Sequence, residues 1–590
     1  MPTPRSISTE ACAGTVPCHE FVIVQAVPYP LLTPDVLHLH TYFLFPFSID
    51  QHAVMEEHPE IWHKGQQWFE KLDAWVTTHV HHPEHEAAAS RLGAWHRSPE
   101  THFDLASPAY QDMVFFHPFV RRAFFDTGNT SRDQEALMHR YVMRRESGGR
   151  LFYEAEDVRG ASASVEVTDL RLLLFANGIS ILTLGIETRG ISYRQALWIN
   201  EMLRKIYPSS DRQIETARIP SRLALVEERD GQRHIIAEEK WEKSRIVGVR
   251  PQISGILLNL LHFANYFHEE FEPVLDERML VNTFVSLDRT QLPPGYQSGE
   301  GYDAAFSRLL YVDRDGPGFR YQPEFIREDM NKHVYRRWQH EGTLYGATSY
   351  SNVTSVLTCP ETLEASGLVY RMFKTKNHLI SLIALFYRAS LLDFAKESAL
   401  VSRMLFPVFS GKIVRHRHIQ FATRLMADFH YFNNYWFFDE LTPKDEELEH
   451  FQLFCRAYRI GPMKEGIEDQ IDKLAGYIDR LYTLRNSDAV NRLAMIDILL
   501  GIGALVTGYY GMNIPHLGDV LKNNSLSLWS LVATSLLTIA SVTFVVYIVG
   551  FNWLDYRASL LPHRYRKSLT TNSLRQLRHY QGENGNPAGG

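Results

Sequence analysis

The chain has 590 residues, of which 45% are hydrophobic and 22% charged, and this composition excludes disordered, collagen-like and low-complexity proteins. Its formal net charge of -7, from 61 Lys and Arg against 68 Asp and Glu, gives no general attraction to nucleic acid. The four cysteines form no CxxC pair, which argues against a disulfide framework or a thiolate zinc cluster and favours a reducing compartment.

Residues 1–20 are expected to be disordered, and they contain no run of seven apolar residues, so we expect no cleaved secretory signal. Residues 21–370 mix strand and helix signals, which predicts a cytoplasmic α/β (α+β) domain. Asn177-Gly178 between two β-rich runs predicts a tight hairpin. The predicted strands cover 21–26, 165–184, 234–237, 280–287 and 344–348. The predicted helices cover 61–79, 193–206, 253–267 and 323–337.

Residues 371–492 carry no further strand signals and are predicted to form a helical region that ends in a stalk helix. Helices are expected over 379–400 and 419–432, and Thr442 with Pro443 predicts the start of another that ends at Gly461-Pro462. Apolar residues then recur at 4-3-4-3 spacing, as in a helix-packing seam, at Ile467, Ile471, Leu474, Ile478 and Leu481. A single helix over 463–510 would be roughly 70 Å long.

Residues 493–553 are predicted to form a membrane hairpin with a short outer loop. The first span, 493–510, is apolar except for Asp497. The second lies in 526–554, which has no charged side chain, and its window 529–549 is long enough to cross ~30 Å of hydrocarbon. A further apolar stretch, 378–395, contains Arg388 and Asp393, and we expect it to be a core helix.

Basic residues predict the orientation of the hairpin. Arginines precede the first span, the tail at 554–590 is basic, and the connecting loop carries only Lys522 as a basic residue. Both termini are therefore expected on the cytoplasmic side of a plasma or inner membrane.

The first span ends at Tyr510-Gly511-Met512-Asn513. In this position, the motif resembles that of the CorA family of divalent-cation channels and transporters, and the resemblance covers about 440–570. It implies a funnel-shaped homopentamer whose first transmembrane helices line one pore. Gly511, Met512 and Asn513 would form the outer mouth, with Asn513 contacting a hydrated cation and Tyr510 bracing the turn. Neutral oxygens suit Mg²⁺, which gives up water reluctantly.

One face of the first span is predicted to line the pore, because its residues follow 4-4-3-4 spacing: Leu493, Asp497, Gly501, Ala504 and Gly508. Five copies of Asp497 would form an acidic ring that contacts metal ions. In the alternative interpretation the small residues form a helix-packing face, and Asp497 pairs locally with Arg492.

No phosphate loop, dinucleotide fingerprint or nucleophile elbow occurs, so we expect neither an enzyme nor a resident cofactor. The histidine-rich segment 79–85 is interpreted as a solvated turn rather than a metal site. The expected partners are other copies of the chain, the lipid bilayer and divalent cations, without nucleic acid. Three functions stay open: an Mg²⁺ channel, a Zn²⁺ or Co²⁺ transporter with or without proton coupling, and a non-conducting membrane-anchored sensor or interaction protein.

Overall fold

The structure is a computed structural model that divides into two compact units, Met1–Ala475 and Gly476–Gly590. It describes residues 34–49, 93–99, 113–126, 137–145, 148–206, 211–241, 254–261, 271–275, 278–314, 321–361, 367–405 and 416–511, together with 532, 535, 536, 539, 540, 543 and 544.

Thirteen strands of the described residues form one sheet in the first unit. They are β1 (Val36–Ile49), β2 (Ala94–Arg97), β3 (Met138–Arg144), β4 (Arg150–Glu156), β5 (Ser162–Phe175), β6 (Ile179–Ile191), β7 (Arg222–Arg229), β8 (Gln232–Lys240), β9 (Phe271–Pro273), β10 (Leu280–Asp288), β11 (Val334–Tyr335), β12 (Thr343–Ala347) and β13 (Ser351–Thr358). Their order is β11-β12-β13-β10-β1-β6-β5-β4-β7-β8, with β3 joined to β5, β2 to β3, and β9 to β1. Of the named pairs, β10 with β13 is parallel and the others are antiparallel.

Eleven α-helices occur among the described ranges. They are α1 (Pro118–Phe124), α2 (Tyr193–Leu203), α3 (Asp211–Glu215), α4 (Gly255–Leu260), α5 (Glu300–Tyr311), α6 (Pro323–His333), α7 (Gly367–Met372), α8 (His378–Leu405), α9 (His416–Tyr435), α10 (Asp445–Ala457) and α11 (Ile460–Gly511). A π-helical turn, Phe373–Asn377, joins α7 to α8.

Strand β1 lies at the centre of the sheet, and its two faces pack against two different layers. Because successive side chains of a strand point to opposite faces, Leu39 and Phe43 share one face while His38 and His40 share the other. Leu39 and Phe43 belong to the large buried apolar core, which also contains Leu197 of α2 and other residues from α2 and α5. The histidines lie on the face that is covered by α7, the π-helical turn and α8.

Among the helices whose side chains are all described, the stretch from α7 through α8, Gly367–Leu405, is the one long and apolar enough, by length and composition, to cross a membrane. However, 67% of its most apolar window is buried inside the protein. Arg388 donates a hydrogen bond to the backbone oxygen of Ser349, which anchors the helix beside the sheet. This burial confirms the prediction of a core helix at 378–395.

Helix α11 runs without interruption from Ile460 to Gly511, as the sequence predicts for 463–510. The preceding break lies at Arg459, which has a left-handed φ of 57°, and not at Gly461-Pro462. Pro462 is tolerated inside the helix because the first-turn N–H groups have no partner in the helix. Four residues of the predicted seam are buried: Ile467, Ile471, Leu474 and Ile478. The fifth, Leu481, is half-buried.

Local signals gave correct predictions in several places. The hairpin is confirmed: Gly178 adopts a φ of 88° in the turn, and Asn177 Oδ1 accepts a hydrogen bond from the Ile179 N–H at 3.2 Å. The strands expected at 234–237, 280–287 and 344–348 lie in β8, β10 and β12, apart from Thr348, and the first two predicted helices after 370 are α8 and α9. The predictions at 1–20, 21–26 and 61–79 lie outside the described residues.

Other predictions need correction. The helix expected over 323–337 ends at His333, because the chain then pairs with β12 as β11. The helix expected after Thr442 begins at Asp445, since Thr442 Oγ1 instead donates to the backbone oxygen of Phe115 and accepts from the N–H of Lys444. Of the helix expected over 253–267, only α4 is described.

Candidate functional site

The five residues of the predicted pore face all lie on α11. At about 100° per residue they fall within an arc of ~80° on the helix surface. Each of the five is exposed in the single chain: Leu493, Asp497, Gly501, Ala504 and Gly508. One helix therefore brings this set onto a common face. The side chain of Arg492, the alternative local partner of Asp497, lies outside the described residues.

Large apolar side chains on and beside this face are also uncovered in the single chain. Val490, Leu493, Ile496 and Leu500 of α11 are 39% to 66% exposed. The described positions of the second apolar segment behave alike, with Leu536 and Ile539 exposed by 61% and 62%. Burying a side chain of this size would stabilise the protein by about 1.5–3 kcal/mol relative to leaving it in water. A contiguous surface of this kind is typical of contact with lipid or with another subunit.

The predicted outer mouth is only partly described. Tyr510 and Gly511 are the last described residues of α11, and the side chain of Tyr510 is outside the description. Met512 and Asn513 lie outside the described residues. Helix geometry separates Asp497 from Gly511 by about 21 Å along the axis of α11. Asp497 therefore lies well away from Gly511, where the predicted outer mouth begins.

A second group of candidate site residues, which the sequence did not predict, lies on β1, β6 and α7. His38 and His40 project from β1 beside Glu187 of β6, and one ligand atom from each lies within 4.8 Å of the others. His38 Nε2 is 2.9 Å from Glu187 Oε1, and His40 Nδ1 is 3.7 Å from Glu187 Oε2. The hydroxyl of Tyr370, from α7, lies 2.9 Å from His40 Nδ1 and 3.4 Å from Glu187 Oε2. We call these four residues the His–Glu–Tyr cluster.

Strand register explains how the cluster forms. His38 pairs with Arg189 and His40 pairs with Glu187 across the β1–β6 ladder, so both histidines flank the carboxylate. Aromatic packing fixes the imidazole rings: His38 lies edge-on to Tyr370 at 4.6 Å, and His40 packs against Tyr42 at 4.6 Å between ring centroids. The His-x-His spacing on a strand is the local signal that could have indicated one face carrying both rings.

Burial and hydrogen bonding set the protonation of the cluster. Both histidines are buried, and burial lowers the pKa of His40 to about 3 despite the nearby Glu187 carboxylate. The hydrogen bond with His38 lowers the pKa of Glu187 to about 2, against the opposing effect of partial burial. Burial, reinforced by Glu187, raises the pKa of Tyr370. The cluster at neutral pH thus presents a neutral His40 imidazole beside a carboxylate.

Comparison with known proteins returns no family model, no curated protein and no solved structure that matches this chain.

Proposed function

We propose that the chain is one subunit of a homopentameric CorA-like channel or transporter that conducts divalent cations, with Mg²⁺ as its expected cargo. The observation that carries the proposal is the continuity of α11. One helix includes a buried apolar seam, an exposed apolar stretch with a single acid, and the Tyr510-Gly511 start of the outer-mouth motif.

The exposed face of α11 supports a pore built by symmetry. In a ring of five subunits, the small side chains Gly501, Ala504 and Gly508 would leave space along the axis, and five Asp497 carboxylates would face it. Charged residues inside a membrane typically face a bundle interior or a water-filled path rather than lipid. The flanking exposed apolar side chains would then meet lipid or the second span, 529–549.

The outer mouth would recognise the hydrated ion. Amide and carbonyl oxygens of Asn513 and Gly511, repeated five times, would hydrogen-bond to the water shell of Mg²⁺ without binding the ion so tightly that it cannot leave. The two spans would place both termini in the cytoplasm of a cell with this protein in its plasma or inner membrane.

The test is ion flux with the full chain in liposomes that contain an Mg²⁺ indicator. We expect Mg²⁺ uptake by the parent protein and a large loss in Asn513→Ala, while Asn523→Ala in the same loop is the matched amide control and keeps the flux. Mass measurement in detergent should give five subunits.

Three results would redirect or overturn the proposal. Flux of Zn²⁺ or Co²⁺ in place of Mg²⁺ would change the cargo, and dependence of that flux on a proton gradient would indicate coupled transport. An assembly that is not pentameric and carries none of these ions would contradict the proposal and favour the membrane-anchored sensor.

A further inference from the structure

The His–Glu–Tyr cluster has the donor set of a metal site and belongs to the first unit, whereas the residues of the proposed pore belong to the second. Two imidazole nitrogens and a carboxylate are the protein ligands of many zinc centres. His38 and His40 come from neighbouring positions on one strand face, Glu187 from the paired strand, and Tyr370 from the helix above. Four groups from three elements therefore converge on one point.

The distances within the cluster lie within about 0.4 Å of those between the ligands of one tetrahedral ion. Zinc bonds of about 2.0–2.2 Å in a tetrahedron separate neighbouring ligand atoms by roughly 3.3 Å. The observed separations are 2.9 Å for His38 Nε2 to Glu187 Oε1 and 3.7 Å for His40 Nδ1 to Glu187 Oε2. Those from the Tyr370 hydroxyl are 2.9 Å to His40 Nδ1 and 3.4 Å to Glu187 Oε2. An ion among them would replace the hydrogen bonds that join His38 to Glu187 and Tyr370 to His40.

We propose that His38, His40 and Glu187 bind one Zn²⁺-class divalent transition ion, with the Tyr370 oxygen as the fourth ligand, its proton being released to solvent as the ion binds. Imidazole nitrogen favours zinc and its transition-metal neighbours over Mg²⁺, which takes oxygen ligands. The site is therefore chemically distinct from the proposed Mg²⁺ pathway. Binding would join α7 to the sheet through Tyr370.

The carboxylate gives the site an opening to solvent. The Glu187 side chain is 22% exposed, whereas those of His38 and His40 are 6% and 1% exposed. Arg189 forms an ion pair with Glu187 at 3.2 Å, but its own side chain is 65% exposed and can turn into solvent. Arg189 thus lies at the entrance and competes with the metal for Glu187.

The test measures zinc bound to the full chain, purified in detergent and stripped with a chelator. Because the segment 79–85 contains four histidines that can also bind zinc, all variants are made in a background where these are glutamines. Equilibrium dialysis with elemental analysis is expected to find one zinc per chain at micromolar zinc, retained in excess Mg²⁺. X-ray absorption of the bound zinc should show nitrogen and oxygen neighbours only.

Ligand variants distinguish this site from other histidines. The double variant His38→Gln/Glu187→Gln is expected to lose at least about 100-fold in zinc affinity, more than the usual effect of second-shell changes. His96→Gln, which changes an exposed strand histidine outside the cluster, is the matched control and should bind as the parent does. Equal affinity of the double variant and the parent, or no stoichiometric binding by the parent, would overturn the proposal.

Arg189→Gln keeps the test decisive if the double variant does not fold. Removing this exposed charge should tighten zinc binding by about two- to fivefold, as expected for an exposed ion pair. Unchanged or weaker binding would contradict the site. Mg²⁺ flux of the same proteins is measured separately, so loss of zinc binding and loss of conduction are distinguishable outcomes.

Discussion

Lys376 of the π-helical turn and Glu447 of α10 form an ion pair that is closed to solvent. The Nζ of Lys376 donates to Oε1 of Glu447, and the two side chains are 6% and 3% exposed. The other carboxylate oxygen of Glu447 is buried without a hydrogen-bond partner among the described residues. This pair links the helical layer over the sheet to α10.

Lys376→Met should lower the free energy of unfolding by about 3–5 kcal/mol, because Glu447 would remain as an unpaired buried charge. The double variant Lys376→Met/Glu447→Leu should recover most of this loss, since neither charge then remains. The measurement is urea unfolding of the full chain in detergent, followed by tryptophan fluorescence. The control is Lys473→Met, which breaks an exposed pair with Asp469 and should change stability by less than about 1 kcal/mol. Equal effects of the two single variants would contradict the prediction.

Asp497→Asn should reduce divalent-cation flux on the order of tenfold and weaken the preference for divalent over monovalent ions, because the proposed ring loses five negative charges. Asp488→Asn is the matched control, since this position lies nine residues earlier on the opposite side of α11. Liposome flux of Mg²⁺ and K⁺ checks both. Unchanged flux and selectivity in Asp497→Asn would support the alternative in which this face packs between helices.

Gly346→Ala should destabilise the first unit by about 1–3 kcal/mol, because the added Cβ would lie 2.7 Å from Cε1 of Phe306, a ring that is completely buried. Gly466→Ala is the control, because Gly466 is an exposed position of α11 and nothing lies within 4 Å of its added Cβ. Helix propensity predicts that this change raises the free energy of unfolding by up to about 1 kcal/mol. Thermal unfolding of both proteins gives the comparison. A neutral Gly346→Ala would mean that the Phe306 ring relaxes freely.

Acid should destabilise the protein partly through His450. Burial, with a smaller effect of Lys376, lowers the pKa of His450 to about 3 from an ordinary 6.5. Below pH 6.5 the unfolded chain therefore binds a proton that the folded chain does not, and stability falls as the pH drops from about 6.5 towards 3. Between pH 6.5 and 5 this group contributes a loss of up to about 2 kcal/mol.

His450→Gln should accordingly flatten the dependence of the unfolding midpoint on pH between 7.5 and 5. His340→Gln, which changes a histidine whose side chain is 70% exposed, should leave the parent dependence intact. Circular dichroism during heating at several pH values gives both profiles. Parallel profiles for the parent and His450→Gln would show that another group controls the acid response.

The sequence predicted those parts of the fold that depend on local signals. Asn177-Gly178 defines its hairpin through the conformation of two residues, and the seam after Ile467 defines a helix through its own periodicity. No strand was predicted where the central strand β1 lies, and Pro46 within β1 is a residue that argues against a central strand. In the structure Pro46 falls where pairing with β10 has ended at Leu44 and pairing with β9 has not yet begun at Phe47, and its carbonyl oxygen accepts a hydrogen bond from the N–H of Val274 at 3.2 Å.

The two candidate sites also differ in how far the sequence alone could predict them. The residues of the predicted pore face share one helix, and their spacing alone places them together. The His–Glu–Tyr cluster joins residues 38 and 40 to 187 and 370, and only the β1–β6 register and the placement of α7 bring them within contact distance. No spacing within one segment carries that information. Long-range pairing therefore creates the site that the sequence analysis could not identify.

The central position of β1 also has a consequence during synthesis. Leu44 pairs with Leu280, which leaves the ribosome 236 residues later. At the usual rate of about 5–20 residues per second, one edge of β1 waits roughly 12–50 s for its strand partner β10. Nascent chains would present this unpaired edge throughout the interval, and an open strand edge is a template for pairing with other chains, so we expect chaperone binding to the first 280 residues to improve the yield of folded protein.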